Sequence, residues 1–559
     1  MTLGILITHP SHVFWAKEKY PDALLIARDL LTILVHPNDK IEYLHPKPNF
    51  SSVQEKTVID LGNNWFRDSE GTDVSCSDGM SSPQVLTGSI RYGIASCIRE
   101  YEALKHWKGM LTKMMVSTSE NRFFLNACLE FETFIDYYEP PSLLPSVSEW
   151  LQERKLKDSW DLGRKWLNPF TLKTIIFLQR MIFPGTKKNS LLIFSDWTNY
   201  SLNISTNTLW TNRINPRKCA YIVANRNESR KSRGRNTTSL ESKLNEVLIT
   251  RLSECDQYKI DDPLKRVIRN YIMELVDSSR EIIDIFDVKM RNLLKNYSIE
   301  SILIPAELYE PYIVALQHAR SNGITSTLLV DGHDPTGMAV PTLHTANGKQ
   351  FLLSQFGVCS NALYQNALHM GFSKDQIQLF DSPFLKIHTS TTQNNYEYDV
   401  IIMTWIPNQQ NPSARIDSPS ATLRDALLVT SRLFDGTIAV KVKDHSLESE
   451  YVEQIINVMG LSERVIVITG RFCDHIKKAK IIIGGISSAI AECKIHDIPY
   501  IIYEPIENGY GEMYFESNYL LKRSRIARNV EELESLIALG EPSVDIDREQ
   551  YLFTSGRIN

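Results

Sequence analysis

The chain has no apolar run of about 18 residues, so no membrane-crossing helix is expected from it. Its start, Met1-Thr2-Leu3-Gly4-Ile5-Leu6-Ile7-Thr8-His9, lacks a basic segment ahead of the apolar residues and reads as a first β-strand rather than a secretion signal. Cysteine is sparse. The eight residues (Cys76, Cys97, Cys128, Cys219, Cys255, Cys359, Cys473 and Cys493) are scattered, with no Cys-x-x-Cys pair. That argues against a disulfide or metal framework and fits a reducing cytoplasm. A surplus of one charge is missing as well. Lys and Arg number 61 against 66 Asp and Glu, a net charge of −5, which argues against nucleic acid as the ligand. Neither an internal repeat nor a long low-complexity tract occurs.

What is present is ordinary for a soluble globular protein: 43% hydrophobic and 23% charged residues. At 559 residues the chain is too long for one core and predicts two or three domains. Residues 1–185 are expected to form a largely helical N-terminal region. Its strand-like opening leads to a Gly/Ser/Asp-rich loop at 68–83, and the segment Ile90–Tyr138 has apolar residues at helical spacing, ended by Pro140-Pro141. From 186 to 388 short apolar runs (Leu191–Phe194, Ala220–Val223, Ile302–Ile304, Thr327–Val330) alternate with helical stretches, one of them spanning roughly 240–297. From 396 to 540 five more runs follow the same rule: Val400–Thr404, Thr437–Val442, Val465–Ile468, Ile481–Gly485 and Tyr500–Tyr503. Residues 541–559 read as a tail. The pattern predicts an α/β architecture of two doubly wound, Rossmann-type sheets facing a cleft, with the helical N-terminal region added. In such sheets ligands bind outside the carboxyl ends of the strands.

The most informative stretch is Ile483-Gly484-Gly485-Ile486-Ser487-Ser488-Ala489-Ile490-Ala491-Glu492. A buried strand ends in two glycines, which let backbone approach a ligand, and two serines open a helix whose N–H groups suit a phosphate. Glu492 lies one helical turn beyond Ser488, where a carboxylate could accept both hydroxyls of a ribose. Read without a ligand, the same residues make a tight strand–helix turn, a capped helix and a solvated glutamate. Other strand exits add to the first reading. Lys441 and Lys443 share a face before His445, Thr404 ends the first strand of its domain, Arg471 follows Thr469-Gly470, and Glu504 and Asn508 follow the strand at 500–503. A lysine at the end of a central strand needs a partner, and a phosphate is a natural one.

Residues 370–540 resemble the C-terminal half of the GT-B glycosyltransferases that build bacterial surface polysaccharides. Gly371-Phe372, Ile377, Leu379 and Asp381-Ser382-Pro383-Phe384 resemble the crossing into that half. Lys443-Asp444-His445 resembles the K-x-H-P motif of capsule-type transferases, including those that use CMP-activated keto sugars, with Ser446 in place of the proline. Ile476-Lys477-Lys478-Ala479-Lys480 through Glu492 resembles the segment that ends in S-S-x-x-x-E-A, with Cys493 where alanine is usual. The resemblance implies that Ser487 and Ser488 bind donor phosphate and that Glu492 binds donor ribose. It covers under a third of the chain.

On the acceptor side, Asp331-Gly332-His333-Asp334 ends the last clear strand of the central domain. Asp331, His333 or Asp334 could take the proton from an attacking hydroxyl, with Glu307 and then Asp196 as further candidates. The same four residues also read as an Asp-Gly turn followed by an Asp-Pro start. No Asp-x-Asp follows a strand, so no metal and no cofactor is expected beyond a CMP-, UDP- or GDP-linked sugar as co-substrate. The basic stretch Arg226, Arg230, Lys231, Arg233 and Arg235 reads as a solvated loop, or as a contact with anionic headgroups that would keep a cytoplasmic enzyme on the inner membrane face.

The expected activity is therefore transfer of a sugar from a nucleotide-sugar donor to a growing surface glycan or lipid-linked glycan. Two alternatives stand beside it. The first is a nucleotide-sugar epimerase or polyol-phosphate transferase on the same fold, separable by product analysis. The second is a non-catalytic scaffold subunit of an assembly complex, favoured if no nucleotide binds.

Overall fold

The computed structural model describes residues 2–28, 30–45, 52–76, 81–139, 190–194, 219–222, 238–254, 260–296, 299–304, 310–329, 353–358, 360–369, 371–379, 396–404, 418–442, 446–487, 489–505, 521–540 and 542–543. Within them the chain builds three parallel sheets rather than two.

The N-terminal sheet is the departure from expectation. Strands β1 (Leu3–Ile7), β2 (Leu24–Ala27), β3 (Ile41–Tyr43), β4 (Lys113–Ser117) and β5 (Ile135–Tyr138) pair in the order β3-β2-β1-β4-β5. Around them pack α1 (His12–Lys19), α2 (Leu30–Val35), α3 (Ser52–Asn64), α4 (Ser82–Val85), α5 (Thr87–Lys108) and α6 (Arg122–Cys128). The predicted largely helical region is thus an α/β unit. The reason is chemical: Leu24-Leu25-Ile26-Ala27 and Lys113-Met114-Met115-Val116 are rich in Leu, Met and Ala, which favour helices, and runs this short show no decisive period. Burial settles the matter. Ile5, Ile7, Leu25 and Ala27 pack on one face, and Leu6, Ile26, Met114 and Val116 on the other.

The central sheet holds β6 (Ser190–Phe194), β7 (Cys219–Ile222), β8 (Ile299–Ile304), β9 (Thr325–Leu329), β10 (Gln355–Val358) and β11 (Ile377–Leu379), in the order β11-β10-β9-β8-β6-β7. Its helices are α7 (Thr238–Glu254), α8 (Asp262–Asn296), α9 (Glu310–Ser321) and α10 (Asn361–His369). The helical stretch expected over 240–297 is two helices. Pro263 sits in the first turn of α8, where its missing N–H costs nothing, and Asp261 accepts from the Leu264 N–H at 3.2 Å. The N-terminal and central units share one hydrophobic core, in which α5 lies against α8. The crossing is close at Gly93: a Cβ there would stand 1.9 Å from the Tyr271 ring.

The C-terminal sheet holds β12 (Tyr398–Met403), β13 (Ile438–Lys441), β14 (Val465–Ile468), β15 (Ala479–Gly484), β16 (Tyr500–Tyr503) and β17 (Ile526–Ala527), in the order β14-β13-β12-β15-β16-β17. β17 is a strand beyond the five predicted. Alternation splits its residues between two cores. Val400, Ile402, Val440, Ile481, Ile483, Ile501 and Tyr503 meet α11 (Ser418–Leu433), α12 (Ser446–Val458) and α14 (Val530–Leu539). Ile401, Ala439, Ile482, Tyr500 and Ile502 meet α13 (Ala489–Ile495) and Ala362 from α10. Helix α2 of the N-terminal unit packs against α11 and α12. The expected boundary at 540 moves outward, because buried Ser543 donates its N–H to the Tyr500 carbonyl at 2.9 Å.

Candidate functional site

The C-terminal strand order reverses direction between β12 and β15, and in open α/β sheets ligands bind outside the carboxyl ends of the strands at such a switch point. Thr404 stands at the end of β12 and Gly484-Gly485-Ile486-Ser487 at the end of β15. The Thr404 N–H and hydroxyl donate to the Lys441 carbonyl at 3.1 and 3.3 Å, which locks the ends of β12 and β13 together. Lys441 is buried, and its ammonium turns back to donate to the Val442 carbonyl. Arg471 is exposed just after β14, and Glu504 follows β16.

One peptide unit at this edge is held from both sides. The Tyr500 hydroxyl donates to the Gly485 carbonyl at 2.7 Å. The Glu504 carboxylate accepts from the Ile486 N–H at 2.7 Å. Those two backbone groups belong to the same amide plane. Tyr500, Ile502 and Glu504 alternate onto one face of β16, the face that packs with Ile482. Gly484 is a glycine for this reason: a Cβ would fall 2.3 Å from the Tyr500 oxygen and 2.9 Å from the Met403 Cβ. The sequence suggested that Gly484 lets a ligand approach, whereas what approaches it is a tyrosine. Glu504, expected to touch the ligand, accepts from the Ile486 N–H of the turn itself.

Ser487 is half-buried, and its oxygen accepts from the Ala489 N–H at 3.3 Å at the start of α13. That helix has only seven residues, so the turn has no long helix dipole behind it. Glu492 sits in its first turn, half-buried. Burial pushes its carboxyl up to about 7, and the Arg471 guanidinium pulls in the other direction.

Eight of the twelve expected donor-side residues are therefore placed, at one edge of one sheet: Thr404, Lys441, Arg471, Gly484, Gly485, Ser487, Glu492 and Glu504. Lys443, His445, Ser488 and Asn508 lie outside the described residues, as do Asp331, His333, Asp334, Glu307, Asp196 and the basic stretch 226–235. Among the described residues no cluster of three or more His, Cys, Asp or Glu is arranged to hold a metal, and no helix is long and apolar enough to cross a membrane.

A second polar cluster went unread in the sequence. Arg28, at the end of β2, is fully buried; it meets Glu100 of α5 at 2.9 Å and Glu120, beyond β4, at 2.7 Å. His45, beyond β3, lies 3.6 Å from Glu100, and the guanidinium stacks 4.8 Å from the Phe124 ring centroid. His12 is buried on α1, beside His9, and burial lowers its pKa, as it does for half-buried His9. Arg28 and the groups that meet it come from several elements, and no local spacing announces them.

No family model matches the chain, and no curated protein matches it. Several solved structures overlap it. A glycosyltransferase from Rickettsia africae ESF-5 is 12% identical, covering 63% of this chain and 88% of its own, with a TM-score of 0.33. The UDP-GlcNAc 2-epimerase of Methanocaldococcus jannaschii, in complex with UDP-GlcNAc and UDP, is 9% identical over 65% and 96%, with a TM-score of 0.35. That of Neisseria meningitidis, bound to UDP-GlcNAc, is 12% identical over 65% and 97%, with a TM-score of 0.36.

Proposed function

We propose that this chain is a glycosyltransferase that moves a sugar from a nucleotide-sugar donor to a surface glycan or lipid-linked glycan. The donor nucleotide lies at the carboxyl edge of the C-terminal sheet, and the acceptor lies on the central unit. The observation that carries this reading is Glu492. It sits half-buried in the first turn of α13, the helix that follows the glycine turn at the end of β15, and burial raises its carboxyl to about 7. Even half-buried, a carboxylate is costly, and two ribose hydroxyls would offset that cost by donating to its oxygens.

In this reading the amides of Gly485–Ser487, with the hydroxyls of Ser487 and Ser488, take the donor phosphate. Arg471 and Lys443 neutralise the charge that develops as it leaves, so transfer needs no metal. Asp331, His333, Asp334 or Glu307 accepts the proton of the attacking hydroxyl. The enzyme works in the cytoplasm, with residues 226–235 against anionic headgroups of the inner membrane face.

Calorimetry with UDP, CMP and GDP tests the donor site. One of the three is expected to bind, with affinity unchanged by EDTA, and Glu492→Ala is expected to weaken it by about 10- to 100-fold, the worth of hydrogen bonds to a charged group. Binding of none of them to the wild-type protein overturns the reading. Product analysis then separates sugar transfer from epimerisation and from transfer of a polyol phosphate.

A further inference from the structure

We propose that Tyr500 and Glu504 are positioning residues that preset the nucleotide-binding turn by clamping the 485–486 peptide unit. The inference rests on the donor-site reading above and assigns these two side chains a role through the backbone rather than on the ligand.

The geometry is specific. A peptide plane presents its carbonyl and its N–H in opposite directions, and here each is held by a side chain from the neighbouring strand, both at 2.7 Å. Rotation of that plane would break both bonds at once. The turn that follows, with Ile486 and Ser487, therefore starts from a fixed direction, and its later amides face the same way with or without a ligand. Preset dipoles are what a site needs if it is to meet phosphate charge without reorganising.

Tethering a strand end requires no buried acid. An amide at the sheet rim could be satisfied by water or by a serine, yet the group placed against Ile486 is a glutamate only 3% exposed. Burying a carboxylate is expensive unless it is hydrogen-bonded, and such a cost concentrates where geometry matters. Gly484 belongs to the same device, since only a residue without Cβ leaves room for the tyrosine to cross β15 and reach Gly485. Three residues, Gly484, Tyr500 and Glu504, are thus tied to the orientation of one amide plane.

The test uses the full chain and the nucleotide among UDP, CMP and GDP that the wild-type protein binds. Tyr500→Phe and Glu504→Ala are each expected to weaken it about 5- to 30-fold, as loss of a bond from a positioned group does. The double variant should lose less than the product of the two, because both bonds hold one plane. Glu504→Gln, which keeps an acceptor for the amide, should restore most of the affinity. Hydrogen exchange of the Ile486 amide without nucleotide gives an independent measure: Glu504→Ala should speed it at least 10-fold while amides in β12 and β15 stay protected. Wild-type nucleotide affinity in folded Tyr500→Phe, or unchanged Ile486 exchange in Glu504→Ala, overturns the clamp. If the wild-type protein binds no nucleotide yet Ile486 exchange responds as expected, the donor-site reading fails while the clamp on the peptide stands.

Discussion

The N-terminal and C-terminal sheets share a strand order around their first strands, and both bury ionisable groups at the carboxyl edge. Among the described residues eight His, Arg, Lys or Glu side chains are buried: His12, Arg28, His45, Glu100, Glu120, His318, Lys441 and Glu504. Five lie at the N-terminal edge and two at the C-terminal edge. The difference lies in what they face. In the N-terminal unit charged side chains face one another, with Arg28 between Glu100 and Glu120, and they fasten β2, β4 and α5. In the C-terminal unit they face main chain: Glu504 holds an amide and Lys441 a carbonyl. One topology therefore yields a staple of facing charges at the N-terminal edge, and a turn held through its backbone at the C-terminal edge.

The largest effect that would break this comparison comes from Arg28→Met. It leaves two buried carboxylates without their shared cation and should destabilise the N-terminal unit by about 3–5 kcal/mol in urea unfolding. Nucleotide affinity of the folded protein should not change. A variant that stays stable but loses nucleotide would make the N-terminal edge a ligand site instead.

A smaller effect is expected from Gly484→Ala, about 1–3 kcal/mol, because the new Cβ collides with Tyr500 and Met403. Adding Tyr500→Phe should recover part of the loss, since the shortest contact, 2.3 Å, is to the hydroxyl oxygen. Thermal melting of the single and double variants measures this; purely additive losses would show that the tyrosine is not what Gly484 accommodates.

The smallest effect concerns pH. The folded Glu492 carboxyl, near 7, holds its proton more tightly than an unfolded one. Between the ordinary carboxylate range and about pH 7 the folded state therefore binds the extra proton, and this group's contribution to stability falls as pH rises. Glu492→Gln removes that slope, so the variant should gain melting temperature relative to wild type from about pH 5 to about pH 8. Its nucleotide affinity should lose the rise with pH that ionisation of Glu492 gives the wild type. Parallel melting curves across that range would show that Glu492 is not strained by burial.

Legibility in the sequence followed chemistry of the strands. β12, β13, β15 and β16 are dense in Ile and Val, so their runs could be read and their exits compared. β2 and β4 use Leu, Met and Ala, so the sheet they build leaves no plain strand pattern in the sequence. Glu492 and Arg471 could be singled out because each stands beside a readable strand end. Tyr500 could not: its face alternation is plain, but nothing local says that its hydroxyl crosses to Gly485.

By itself the sequence determined the α/β class, the two later sheets and the edge at which Gly484, Ser487 and Glu492 gather, because buried parallel strands need continuous apolar runs and glycine must mark close approach. Only the tertiary structure decided that residues 3–138 form a third sheet, that Arg28 pairs with Glu100 and Glu120, and that Glu504 accepts from the Ile486 amide. Those outcomes depend on which side chains lose water together, and partners such as Arg28 and Glu120, 92 residues apart, meet only when the chain has folded.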